Sequence, residues 1–135
     1  MKEIPLGAAG QQEFLVSEQD CIDFMGVDRA RVLSTPRLIA LLEMTCRNLL
    51  IGFLAPGQDS VGTQVNLRHL AATPKGMRLT CRAEIVAVNG PRVDFQISAH
   101  DEREKVAEGT HQRYIVDVER FAGRVRAKAE SAGVN

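Results

Sequence analysis

Apolar and polar residues alternate along this chain with two different periods. From Thr35 to Leu54 the period is helical. Leu38, Leu42, Cys46, Leu49 and Phe53 recur at helical steps, and Ile39, Leu41 and Leu50 widen the stripe. Pro36 stands where a first helical residue does, directly behind Ser34 and Thr35, both good N-caps, and Ala55-Pro56-Gly57 ends the pattern. A helix apolar around most of its circumference is expected to be largely buried. Beyond it the period falls to two. Val61, Thr63, Val65, Leu67 and His69 alternate with Gly62, Gln64, Asn66 and Arg68. After a turn at Pro74-Lys75-Gly76, Met77, Leu79, Cys81, Ala83 and Ile85 form one face of a strand. Asn89-Gly90 signals a hairpin into Val93, Phe95, Ile97 and Ala99. The charged turn Asp101–Glu104 leads to a last strand from about Lys105 to Val116.

The remaining segments are less regular. Residues 1–12 read as a loose lead-in to a short strand around Glu13–Ser17, and SEQDCIDFMGVDRARV (residues 17–32) as a short helix or loop. Residues 118–135 suggest a short, weakly amphipathic C-terminal helix. The sum is a single domain, 1–135, of the α+β class: a strand, one long central helix, then an antiparallel meander of four strands curved around that helix.

Composition narrows the function. The chain has 135 residues, 17 Lys+Arg against 17 Asp+Glu, and 4% aromatic residues. A zero net charge without a basic excess argues against a nucleic-acid partner, and the scarcity of aromatics argues against base stacking. No lipidation motif, juxtamembrane basic run or apolar stretch of spanning length points to a membrane. Cys21, Cys46 and Cys81 are widely spaced and form no C-x-x-C pair, and the amino terminus lacks a leader pattern. A reducing cytoplasm is the expected location.

Three positions break the pattern of an inert core. Glu43 lies at the margin of the helical stripe; spacing alone favours a surface ion pair with Arg47 four residues on, whereas wrapping by the sheet would desolvate it and suit it to acid–base or nucleophilic work. His69 shares strand parity with Val61, Val65 and Leu67, so it is either a satisfied core histidine or a general base at a pocket mouth. Thr35 is either a cap or part of a groove, about 12 Å from Glu43 along the helix. Gly62 suits a bulge or a close approach, with an N–H able to serve an oxyanion. His100 reads as a solvated strand end, and His111 lacks a second histidine at ligand spacing, so no metal is expected.

Taken together, VGTQVNLRHLAATPKG (Val61–Gly76), TPRLIALLEMTC (Thr35–Cys46) and EGTHQRYIVD (Glu108–Asp117) resemble the hot-dog-fold thioesterases, specifically the fluoroacetyl-CoA thioesterase-like family, over roughly Val32 to Phe121. The resemblance implies a hot-dog fold, a homodimer with sites around the subunit interface, and an acyl-CoA substrate whose CoA is no separate cofactor. It implies catalytic Thr35, Glu43 and His69, an oxyanion amide at Gly62, and a supporting Arg113. The family's aromatic gate has no counterpart in Gly26-Val27-Asp28-Arg29-Ala30, where Arg29 holds the gate-like position. The expected activity is therefore hydrolysis of short or small polar acyl-CoA thioesters rather than fluoroacetate detoxification. Two other activities compete with it, a non-catalytic acyl-CoA-binding dimer and a hot-dog hydratase or dehydratase. The basic residues Arg120, Arg124, Arg126 and Lys128 suit either CoA phosphates or plain solvation.

Overall fold

The computed structural model describes residues 3–24 and 31–134. Strand β1 (Ala9–Leu15) comes first, then a single 3-10 turn at Glu18–Asp20 and two short strands, β2 (Cys21–Ile22) and β3 (Val32–Leu33), which pair with each other. Helix α1 (Thr35–Ile51) follows, then β4 (Gln58–His69), β5 (Arg78–Asn89), β6 (Arg92–His100), β7 (Lys105–Asp117) and helix α2 (Val118–Ser131). The first strand begins earlier than its apolar pattern suggests because its backbone, not its side chains, is what pairs: Ala9 faces Glu84 and Leu15 faces Arg78.

The five long strands form one antiparallel sheet in the order β1-β5-β6-β7-β4. The expected meander therefore covers only β5 to β7. Strand β4 crosses over and pairs with β7, leaving β1 and β4 as the two edges. Alternation is realised on β5 as far as the bulge after Ile85 and along β6: Leu79, Cys81, Ala83 and Ile85 on β5 and Val93, Phe95, Ile97 and Ala99 on β6 are buried against α1. The β5–β6 connection is the two-residue loop Gly90-Pro91, since Asn89 pairs with Arg92. Gly90 takes φ 63°, the left-handed value a two-residue hairpin of this kind needs at its first position.

Ser34 caps α1 by accepting a hydrogen bond from the Arg37 amide at 3.2 Å, which leaves the Thr35 hydroxyl free of capping duty. The helix buries Leu38, Leu41, Leu42, Thr45, Cys46 and Leu50 in the sheet. It is less enclosed than its composition suggests, because one sheet covers only one side. Met44 and Ile51 stay exposed on the other. Cys46 and Cys81 sit in the core, and burial pushes both thiols up to about 12. Helix α2 has no buried residue, and Arg124 lies over the Phe121 ring at 6.0 Å. Among the described residues no helix is long and apolar enough to cross a membrane.

Candidate active site

Helix α1 and strand β4 run side by side in opposite directions, and three contacts mark their length. At the start of the helix, Thr35 Oγ1 lies 2.7 Å from His69 Nδ1 at the end of the strand. Two helical turns on, Glu43 meets Gly62 and Arg113. Nearer its end, Arg47 binds Asp59 through two bonds of 3.0 and 2.5 Å, which hold the Asp59 carboxyl below its ordinary range. The ion pair that spacing suggests between Glu43 and Arg47 is thus replaced by two separate pairs. Both helical residues find partners across the sheet instead of along the helix.

A bulge in β4 decides which side chains face the helix. Register is kept from Ser60 opposite Ile115 to Gly62 opposite Arg113, then slips so that Gln64 faces Gln112. The extra residue, Thr63, turns to the outer face, where it exchanges hydrogen bonds with Gln112. Ser60 and Gly62 therefore point to α1, and beyond the bulge Val65, Leu67 and His69 do. Val61 belongs to the opposite face, so the uninterrupted parity linking it with His69 does not hold.

The Thr35–His69 pair opens on a cavity of about 380 Å³ whose walls include Ile22, Val32, Leu33, Leu70, Ala71 and Ala72. Burial pushes the His69 imidazole below its ordinary value, opposed in part by the nearby Ala71 backbone. Its Nε2 is buried with no hydrogen-bond partner among the described residues. A neutral ring, fixed by a hydroxyl at one nitrogen, suits a general base.

The second cluster is built on Arg113. Its guanidinium is buried, donating from Nε to Ser60 Oγ at 2.7 Å and from Nη2 to the Ser60 carbonyl at 2.8 Å. Nη1 faces both His111 Nε2, at 3.2 Å, and Glu43 Oε2, at 3.5 Å. Burial lowers the arginine from its usual value and the Glu43 charge opposes this. The Glu43 side chain is 40% exposed, so its carboxylate is anchored at one oxygen and open on the other side. A Cβ at position 62 would strike that oxygen, and would stand 3.1 Å from His111 Cε1. Gly62 is thus the point of close approach, and the bulge falls on the residue after it, Thr63. Ser60 and His111 were not legible as site residues. The bulge hides Ser60, whereas the His111-x-Arg113 spacing does place both side chains on one face of a strand.

Among the described residues, no group of three or more His, Cys, Asp or Glu side chains is placed to hold a metal ion. Segment Gly26–Ala30, with Arg29, lies outside the described residues.

A family profile described as fluoroacetyl-CoA-specific thioesterase matches residues 16–119. The chain belongs to this thioesterase family. A fluoroacetyl-CoA thioesterase from Streptantibioticus cattleyicolor is 37% identical over 97 residues, 72% of this chain and 70% of that one. Among solved structures, the fluoroacetyl-CoA thioesterase FlK superposes with a TM-score of 0.85 at 30% identity, covering 93% of this chain and 98% of that one. A thioesterase-superfamily member from Thermus thermophilus reaches 0.88 at 23% identity over 98% of both chains, and bears on the fold alone. With these neighbours the α+β architecture is the hot-dog fold. A variant of the FlK enzyme has been solved with fluoroacetate and CoA bound. In this member of the family, Thr35, Glu43, Gly62, His69 and Arg113 lie in two clusters on the α1–β4 seam.

Proposed function

We propose that the chain is a thioester hydrolase that converts short or small polar acyl-CoA thioesters to free acid and CoA, as a homodimer. The observation that carries the reading is the Thr35–His69 hydrogen bond at the mouth of an apolar cavity, in a chain of this family. Thr35 fixes the imidazole, and Nε2 of His69 takes the proton of the attacking water or relays it. Glu43, anchored by Arg113, attacks the acyl carbon or orients the water. The amide of Gly62 donates to the developing oxyanion, a contribution of about 3 kcal/mol in comparable sites. The new C–O bond forms as the carbonyl π pair moves onto oxygen. Collapse of that tetrahedral oxyanion re-forms C=O and breaks C–S, so the CoA thiolate leaves with little need of a proton. Where Glu43 is the attacking group, a water then cleaves the acyl anhydride to free acid and carboxylate. Only these side chains and water take part, with CoA arriving as part of the substrate.

A second chain resolves one geometric difficulty. Thr35 and Glu43 are eight residues apart on α1, about 12 Å along its axis, too far for one carbonyl to touch both. Strand β4 is a sheet edge, and its run from Gly62 to Asn66 is exposed. Antiparallel pairing of two such edges about that run sets the Thr35–His69 pair of one chain beside the Glu43–Gly62 pair of the other. It also covers part of the α1 face that carries Met44 and Ile51. The cytoplasm suits the enzyme, since its three cysteines are free thiols.

Released CoA thiol measured over a panel of acyl-CoA esters, fluoroacetyl-CoA included, tests the reading. Wild type should prefer short acyl groups, and Glu43→Gln and His69→Ala should each lose about 10²-fold or more in kcat. A wild-type rate no higher than that of both variants overturns it, and tight ester binding without turnover marks a binding dimer instead.

A further inference from the structure

His111 has no part in the chemistry just described, yet it is among the most buried polar residues of the chain, with 1% of its side chain exposed. Its ring stacks at 6.1 Å and 29° on Phe95, whose own side chain is fully buried. Nδ1 lies 2.9 Å from the Gln64 carbonyl, which only accepts, so Nδ1 carries a proton. Nε2 faces Arg113 Nη1, which only donates, so Nε2 is the acceptor. The two contacts leave one consistent state, a neutral imidazole protonated at Nδ1. In that state the 3.8 Å approach of Glu43 Oε2 to Nε2 is no ion pair, and among the described residues Arg113 is the carboxylate's charged partner.

We infer that His111 is a positioning residue for the hydrolytic site: it holds Nη1 of Arg113 in the plane from which that guanidinium anchors the Glu43 carboxylate. Ser60 fixes the other two nitrogens of Arg113 from its own hydroxyl and carbonyl. Nη1 alone is shared with a group that must remain able to move against substrate. Without His111 the Nη1 donor keeps, among the described residues, Glu43 at 3.5 Å, and the fork can rotate toward it, closing a loose contact into a tight pair and drawing the carboxylate away from Gly62. The bulge supplies the acceptor that sets the tautomer, because it is the Gln64 carbonyl, the first after the slip, that takes the Nδ1 proton.

This inference rests on the hydrolase reading, and two measurements separate their failures. The ¹⁵N spectrum of the full-length protein, labelled at histidine, should show the His111 ring at pH 7 protonated at Nδ1 and bare at Nε2. A ring protonated at Nε2, or at both nitrogens, overturns the inference whatever the enzyme's activity. Kinetics of three variants then test the role. His111→Gln keeps an acceptor near the Nε2 position, His111→Asn keeps only a donor toward Gln64, and His111→Leu keeps neither. The expected result is a fall of about 10-fold or more in kcat for Asn and Leu at nearly constant KM, with Gln recovering most of the loss. Equal kcat in all three variants, or a loss confined to thermal stability, overturns the role. Absence of turnover in the wild type overturns the hydrolase reading instead, and the ring spectrum still decides the contact with Arg113.

Discussion

Ser34 and Thr35 are adjacent hydroxyl residues with different employment, and the difference is measurable. Ser34 caps α1, whereas Thr35 gives its hydroxyl to His69. Ser34→Ala should lower stability by about 1 kcal/mol in a denaturant titration and leave kcat within a few-fold of wild type. Thr35→Val should do the reverse, with little change in stability and a fall in kcat. Gly62 separates the same two properties. An added methyl meets the flexible end of Glu43 and presses at 3.1 Å on the buried His111 ring, which has to give by a few tenths of an ångström, so Gly62→Ala should lower the melting temperature only modestly. It displaces the Glu43 carboxylate, however, and a shift of about 1 Å at a reacting group costs on the order of 10²-fold in rate. Steady-state kinetics beside a thermal melt will distinguish this from a general loss of fold.

At the level of elements, the seam between α1 and β4 carries both clusters, and the packing of β7 on β4 holds the seam in place. Gly109 stands where a Cβ would lie 2.9 Å from Leu67 Cα and 3.0 Å from the Asn66 carbonyl carbon, with the Asn66 oxygen closer still. These are backbone atoms and cannot step aside. Gly109→Ala should therefore part the two strands and destabilise by several kcal/mol, seen as a large drop in melting temperature or as insoluble expression. Much of this scale was legible in the sequence. Pro36 behind two hydroxyl residues marks the helix start, and strict alternation on β5 and β6 marks the core, because each is a local rule acting on consecutive residues. The pairing of β4 with β7 was not legible, since strand order depends on contacts some fifty residues apart in the chain. Nor was the facing of Ser60, since one inserted residue at Thr63 reverses the parity that reading alternation relies on. The partner of Glu43 was missed for a similar reason: helical spacing sees Arg47, and Arg113 lies 70 residues away.

For the whole molecule, two properties follow. The first concerns protons. His69 and His111 both titrate below 6.5 in the folded chain, mainly because burial disfavours their charged forms. Below that value the unfolded chain binds protons that the folded one does not, so these residues' contribution to stability is complete above about pH 7 and is lost progressively as pH falls from 6.5 toward their lower folded-state values. Chemical denaturation at pH 7.5, 6.5 and 5.5 should show the decline, and His111→Gln should make it shallower. The second concerns assembly. Light scattering at micromolar concentration should give a dimer. Mixing unfolded His69→Ala and Glu43→Gln chains and refolding them together tests whether sites are shared. Statistical pairing leaves one intact shared site in half of the dimers, so about a quarter of wild-type activity should return. No recovery over the separate variants means that each site lies within one chain.

The slip at Thr63 also governs how this chain should be aligned with distant relatives. Gly62 and His69 are separated by an odd number of steps, which on an unbroken strand would send them to opposite sides of the sheet. Here they share a side because one residue is counted out of the ladder. A relative without that extra residue can present the same two groups only if its glycine and histidine are an even number of steps apart. Deleting a single residue here is, for the strand, what a frameshift is for a reading frame: every letter downstream survives while its meaning reverses.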